Sequence, residues 1–393
     1  MWKPVHLFAF KKKFDFLGQR KVALIVSTLI NIVAILGVAF VGLNFGIDFK
    51  GGIAIQARAK QGVAQLDTLR STVGALGVGE VSLQEFGEAS TVLIRIQRQD
   101  GGPQCVAGAQ RVLQKRAGAG WQAKPGAGGT GDVELTAPAA LDGAGWRDAV
   151  SRVGLTILER QLPRGATNTA KVDMTPEQRA EWCQQVAIKQ VEDAIGANYE
   201  IRGTESVGPK VGDELMVSGI WAVLATMAAI VIYVWFRYEW QFGVGALIAM
   251  VHDVLTTLGI FVLLQLDFSL TALAAVLTIA GYSINDTVVI FDRVRENMRR
   301  YKKLGLIELL NLSLNETLSR TLMTSGTVFV AVGALVLFGG PVLYSFSVAM
   351  LWGVIVGTYS SVWIACAALV YLKLRPDQLR PVEEQEKAEK AKT

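Results

Sequence analysis

The 393-residue sequence predicts a polytopic α-helical membrane protein carrying one folded α+β domain outside the bilayer. Three observations lead there. Apolar residues gather into long runs, basic residues gather at alternate run ends, and one long mixed segment separates the first run from the second. Hydrophobic residues make up 51% of the chain and charged residues 19%. A soluble protein of this size would interleave the two. Here the apolar residues fall into six runs: Val22–Leu43, Leu215–Phe236, Phe242–Gln265, Ser269–Phe291, Leu322–Phe338 and Leu343–Leu372. A helix needs about 20 residues to cross a hydrocarbon core of about 30 Å, so six transmembrane helices are expected.

Residues 1–21 form a basic lead-in, with Lys11, Lys12, Lys13, Arg20 and Lys21. By the positive-inside rule this end is cytoplasmic. The first run, 22–43, is too long for a signal peptide and lacks its cleavage site, so a retained helix is expected. Alternation then places DRVRENMRRYKK, after the fourth run, inside. The turns Leu266–Phe268 and Gly339–Pro341 carry no Lys or Arg and fall outside. The net charge of +5 sits beside the spans, where topology and anionic headgroups account for it without a nucleic-acid partner.

The segment 44–210 is the only room for a soluble domain, and the topology exports it. GIDFKGGIAIQARA reads as a Gly-rich turn entering a strand, and LDTLRSTVGALG as a helix. VSLQEFG and TVLIRIQR alternate like paired strands. In TPEQRAEWCQQVAIKQVEDAI, Thr175 is an N-cap and Pro176 opens the first turn. YEIRGTESV is a last strand. The order β-α-β-β-α-β is that of the split, ferredoxin-like arrangement. An insertion interrupts it near 99–173. Its Gly/Ala-rich middle, RAGAGWQAKPGAGGTGD, reads as a flexible loop, and SRVGLTILERQL as a possible helix. Cys105 and Cys183 both lie in the exported segment. An oxidising compartment permits a disulfide between them, and two free, half-buried thiols are the alternative. Residues 211–372 hold the remaining spans, and 373–393 form a polar, charged tail expected to be cytoplasmic and disordered.

Asp286 lies within the fourth run, where a charge costs at least about 2.5–3.5 kcal/mol. Such groups face a bundle interior or a wet cavity and bear on ion or proton movement. Thr278, Tyr282, Asn285, Asp286 and Arg293 recur at helical spacing, and Arg320, Thr324 and Thr327 do so on the next run. A guanidinium is effectively always charged. With Arg320 close, the carboxylate of Asp286 is favoured; with it distant, the hydrocarbon favours the neutral acid. Asp286, Arg320 and Asn285 are thus the candidate proton relay. A static ion pair, or a hydrogen bond from Asn285, is the structural alternative. His252 and Asp253 on the third run, with Tyr282 and Thr324, are secondary relay candidates. A polar helix–helix contact serves His252 and Asp253 equally well. Gly243, Gly245, Gly326, Gly333, Gly353 and Gly357 are small residues that permit close helix approach.

Enzyme signatures are lacking. No Gly-rich phosphate loop ends in Lys-Ser/Thr, and GYSIN is not the G-x-S-x-G nucleophile turn. With two histidines, His6 and His252, and no clustered cysteines, neither a metal site nor a cofactor is expected.

GIDFKGG after the first run, VGPKVGDEL into the second, GYSINDTVVIFDRVREN in the fourth and LSRTLMTSGT in the fifth resemble the SecF family over roughly residues 15–372. The resemblance implies membership of the resistance-nodulation-division superfamily of proton-driven transporters and a place in the bacterial inner membrane. It implies SecD as the second half, the SecYEG channel with its associated Sec components as partners, and an exported unfolded polypeptide as passenger. The family's membrane Asp, in NDTVV, falls on Asp286 and its Arg, in SRTL, on Arg320. The insertion and the polar tail depart from the family pattern. The function so implied is coupling of the proton-motive force to export. A passive membrane scaffold for a SecD/SecYEG assembly is the alternative, and an exporter of lipids or small molecules is a weaker third reading.

Overall fold

The computed structural model describes residues 14–99, 102–126, 133–152, 165–172 and 174–374. Most of the basic lead-in, the heart of the Gly-rich stretch, all of SRVGLTILERQL beyond Arg152 and nearly all of the polar tail lie outside the described residues. In chain order the elements are α1 (Arg20–Phe40), β1 (Asn44–Phe45), α2 (Ile47–Lys50), β2 (Gly52–Ala59), α3 (Leu66–Gly74), β3 (Val81–Phe86) and β4 (Glu88–Ile96). There follow α4 (Pro103–Ala117), β5 (Gln122–Pro125), β6 (Val133–Leu141), α5 (Gly143–Arg152), β7 (Thr167–Val172), α6 (Pro176–Ile195) and β8 (Tyr199–Val207). The chain closes with α7 (Pro209–Arg237), α8 (Trp240–Leu263), β9 (Asp267–Phe268), α9 (Leu270–Arg300), α10 (Leu306–Phe338), α11 (Gly340–Ser360) and α12 (Cys366–Tyr371). Two units result, one of residues 1–44 and 219–393 and one of 45–218.

In the soluble unit, one antiparallel sheet has the order β3-β4-β2-β8. Ile53 pairs with Ile96 and Ile55 with Ile94. Their alternation places one apolar face of the sheet against Leu69 and Val73 of α3 and Ala187, Val191 and Ile195 of α6. At the head of β2, Gly52 has φ +128°, and a Cβ there would lie 2.6 Å from the carbonyl oxygen of Ile96. Glycine is required by both backbone and space. Helix α6 starts with a reciprocal capping box. Gln178 N donates to Thr175 Oγ1 at 3.3 Å, and Thr175 N donates to Gln178 Oε1 at 3.1 Å.

The insertion is folded, which corrects the flexible-loop expectation for its described parts. A second sheet, β5-β6-β7, encloses its own core with α4 and α5. Trp121 and Trp146, 4% and 0% exposed, meet edge to face at 5.4 Å. The first turns of α6 supply Trp182, Cys183 and Val186 to this second core, and its later turns supply the first. One helix thus serves two cores. Arg116 of α4 forks onto Asp193 of α6, with Nη2–Oδ1 at 2.7 Å, and also reaches Glu192. Glycine content suggested a loop, but burying two indoles and eight or more aliphatic neighbours outweighs the local cost of glycine.

A disulfide joins Cys105 of α4 to Cys183 of α6, 78 residues apart in sequence. Closing a loop of that length restricts the unfolded chain by up to about 4.5 kcal/mol. Cys105→Ser with Cys183→Ser is therefore expected to lower the denaturant midpoint of the soluble unit's transition, and reduction of the wild type should do the same. Equal midpoints in all three samples would show that the covalent link adds nothing.

Among the described residues, six helices are long and apolar enough to span a bilayer: Leu17–Phe40, Lys210–Arg237, Trp240–Leu263, Leu270–Arg300, Leu306–Phe338 and Gly340–Tyr371. The first starts earlier than the apolar run because a 3-10 turn, Leu17–Gln19, continues into α1. Helix α10 begins at Leu306, well before the expected Leu322. Its leading segment LIELLNLSLNETL is amphipathic and buries Leu309, Leu310 and Leu314 against Phe291, Val294 and Phe242. The last span holds a π-helical turn, Ser361–Ala365, between α11 and α12.

Helix α9 packs on α10 and α11, and α8 on α1, α9 and α11. Two of the six expected small residues account for the tight α9–α11 contact. A Cβ on Gly353 would enter the side chain of Ile279, and one on Gly357 would lie 3.1 Å from Ser283 Cβ. Spaced four apart, they let two backbones approach. Gly326 and Gly333 face open space.

Candidate functional site

The polar residues of the spans collect into two clusters where α8, α9, α10 and α11 meet. The tighter one is centred on Asp253 of α8, which is 0% exposed. Ser283 of α9 donates its hydroxyl to Asp253 Oδ2, and Ser360 of α11 donates to the same oxygen at 2.7 Å. His252 Nδ1 lies 2.9 Å from Asp253 Oδ1. Thr257 Oγ1 bonds the Asp253 carbonyl at 2.7 Å. The ring of Tyr359 sits 6.1 Å from that of His252, and its hydroxyl meets Ser27 Oγ of α1 at 2.9 Å. The carboxylate ties α8, α9 and α11 together, and Tyr359 extends the contact to α1.

The second cluster is centred on Asp286 of α9, 4% exposed. Ser325 Oγ and Thr324 Oγ1 of α10 approach it at 3.4 and 3.5 Å. Ordinary O–H···O bonds are about 2.7–2.8 Å, so this carboxylate is held loosely. Ser325 also meets Thr358 of α11 at 2.7 Å and accepts from Tyr282 at 3.3 Å. The clusters are one helical turn apart, at Ser283 and Asp286. Between them Thr287 Oγ1 and Ser361 Oγ meet at 2.9 Å. Ser361 opens the π-helical turn, a feature that recurs at functional positions.

The candidate residues therefore separate. Asp286, Tyr282 and Thr324 come together, as do Asp253 and His252. Arg320 is exposed on α10. Among the described residues no hydrogen bond or ion pair joins it to Asp286, whose carboxylate meets Ser325 and Thr324 instead. Asn285 is exposed and makes no hydrogen bond to Asp286 among the described residues, so the hydrogen-bonded alternative offered for it is corrected. Helical spacing marked 282, 285 and 286 as one stripe, but the neighbours cover only part of that arc. Arg293, at the foot of the stripe, pairs instead with Glu316 at 2.7 Å and Glu296 at 2.6 Å. Ser27, Ser283, Ser325, Thr358, Ser360 and Ser361 were missed. A run of Tyr359, Ser360 and Ser361 inside an apolar span was the visible signal.

Comparison with known proteins bears on this geometry. Residues 187–375, which hold both clusters apart from Ser27, match the C-terminal model of the protein export membrane proteins SecD/SecF. Residues 37–63 match the SecD/SecF GG motif, which includes Gly51 and Gly52. The protein translocase subunit SecF of Rickettsia bellii (strain OSU 85-389) is 37% identical over 366 residues, covering 93% of this chain and 95% of that protein. The chain belongs to the SecF family. The SecF of Rickettsia rickettsii (strain Sheila Smith) is 35% identical, covering 97% of this chain and 98% of the relative. Among solved structures, the crystal structure of SecDF, a translocon-associated membrane protein from Thermus thermophilus, matches with a TM-score of 0.66 and 28% identity. It covers 94% of this chain and 40% of that one. A second SecDF crystal structure, in a super-membrane-facing form, gives a TM-score of 0.55 at 27% identity, over 98% of this chain and 41% of that one. The chain thus spans about two fifths of the SecDF chains but nearly all of its SecF relatives. It is a multi-pass membrane protein of the Sec protein-transport pathway.

Proposed function

We propose that this chain couples the proton-motive force to Sec-dependent polypeptide export from the bacterial inner membrane. It does so as one half of an assembly with SecD, beside the SecYEG channel, with both termini cytoplasmic. The carrying observation is Asp286: a carboxylate 4% exposed inside a membrane helix, held by two long hydroxyl contacts, with the Arg320 guanidinium, which has no ion pair among the described residues, one helix away. A tightly bonded acid resists change in protonation. A loosely held one can exchange its proton when α10 shifts and carries Arg320 nearer or farther. Ser325 and Thr358 then pass the displacement to α11, so that protonation and helix position are linked.

Several features support the wider reading. The chain covers two fifths of SecDF, which leaves room for a second half. The strand order β3-β4-β2-β8 with α3 and α6 on one face fits a ferredoxin-like exported domain. That domain would hold or pull the emerging passenger while the membrane unit cycles.

The rival reading, a passive scaffold, takes its support from the Asp253 cluster, whose short bonds suit packing. The two separate on one experiment. Membrane vesicles containing this chain and its partners are given a passenger stalled after ATP-driven insertion, and a protonophore is then added. Coupling predicts that completion falls to the level of vesicles lacking the chain. Unchanged completion after collapse of the gradient would favour the scaffold.

A further inference from the structure

We infer that the end of the bundle where α7, α8 and α9 meet binds the phosphodiester headgroup of an anionic phospholipid. A cleft of about 520 Å³ there is lined by Arg237, Asp292, Arg295, Glu296, Arg299 and Arg300. Both acids are already engaged. Asp292 lies 3.7 Å from Arg237, and Glu296 lies 2.6 Å from Arg293. Arg299 has no ion pair among the described residues. Arg295 reaches Glu239 at 3.3 Å, while its Nε is buried and without a partner. Tyr238 packs its ring against the guanidinium groups of both Arg237 and Arg295, at 5.2 and 5.9 Å. Guanidinium donors remain in excess, and planar N–H forks match phosphate oxygens.

The source of the phosphate follows from the surroundings. A helix of 31 residues is about 46 Å long, well beyond the hydrocarbon thickness, so the last turns of α9 emerge into the headgroup layer. Beside the cleft, Trp235, Phe236 and Trp240 are 64%, 89% and 52% exposed. Exposed aromatics at this level mark the membrane–water interface. A lipid would set its phosphate among Arg237, Arg295 and Arg299 and lay its acyl chains along those rings. A free phosphate or a soluble acidic peptide would use the arginines and leave the aromatic flank uncovered. The site lies away from the two intramembrane clusters and does not depend on proton coupling.

The test uses the full chain with its partner subunit, purified and placed in nanodiscs. One set contains phosphatidylcholine alone and another equal parts phosphatidylcholine and phosphatidylglycerol. A spin-labelled phosphatidylglycerol reports contact through quenching of the fluorescence of the interfacial tryptophans. The expected result is preferential quenching by the anionic lipid, with affinity falling about fivefold for each charge removed in Arg237→Gln and Arg299→Gln. Arg299→Gln breaks no ion pair among the described residues, so it leaves the fold intact. Competition by inorganic phosphate as effective as that by lipid would overturn the lipid assignment. So would equal quenching by labelled phosphatidylcholine, or no change in either variant. Lipid contact that appears only after the partner subunit is removed would mean that protein, not lipid, occupies the cleft.

Discussion

Asp286→Asn is expected to abolish gradient-dependent export while the protein still inserts and still assembles. The substitution keeps the shape of the side chain and removes its ability to ionise. Its hydroxyl neighbours, Ser325 and Thr324, sit at 3.4 and 3.5 Å, so little bonding is lost and the bundle should remain stable. What is lost is a proton-binding step. One charge crossing about 100 mV supplies about 2.3 kcal/mol, or about 50-fold in an equilibrium. Export rate in energised vesicles should therefore fall by up to that factor per proton coupled, to the rate seen with protonophore. Full gradient-dependent export in the Asn variant would remove Asp286 from the mechanism.

Asp253 should respond in the opposite sense. Its Oδ2 accepts from Ser283 and Ser360, and its Oδ1 faces His252 Nδ1 at 2.9 Å. An asparagine can reproduce this arrangement, with its carbonyl toward both serines and its amide toward an unprotonated Nδ1. Asp253→Asn is expected to keep the fold and most of the export activity. Asp253→Leu leaves the hydroxyls of two further helices without their shared acceptor in a dry core and forces a branched side chain into a filled space. The cost is about 3–5 kcal/mol, seen as a lower melting temperature in detergent and lower yield from the membrane. Normal melting of the Leu variant would show that the cluster does not hold the bundle. Loss of gradient-dependent export in a stable Asn variant would make Asp253 a second relay.

The two carboxylates looked alike in sequence, each a single acid inside an apolar run. They differ in what other helices bring. Ser283 and Ser360 lie 30 and 107 residues from Asp253, and no local pattern links them. Arg320 illustrates the same gap. Helix spacing placed it near the depth of Asp286, but depth does not set azimuth, and a few tens of degrees of rotation separate an ion pair from an exposed cation. Asn285 was misjudged for that reason. The insertion was misread because glycine and alanine report backbone freedom, whereas its order comes from Trp121, Trp146 and a shared α6.

Length and apolarity of the runs by themselves predict six helices able to cross a bilayer, and six such helices stand among the described residues. Backbone hydrogen bonds must be met within each span, and only a helix of about 20 residues does that. Period-two and period-3.6 patterns also suffice for the main strands and helices of the soluble unit, because burial on one face dictates the repeat. Tertiary structure alone decided which acid is clamped and which is loose, since that depends on hydroxyls arriving from α10 and α11 at distances that differ by less than 1 Å. Hydrogen-bond strength changes steeply over that interval, and sequence spacing along one helix carries no record of it.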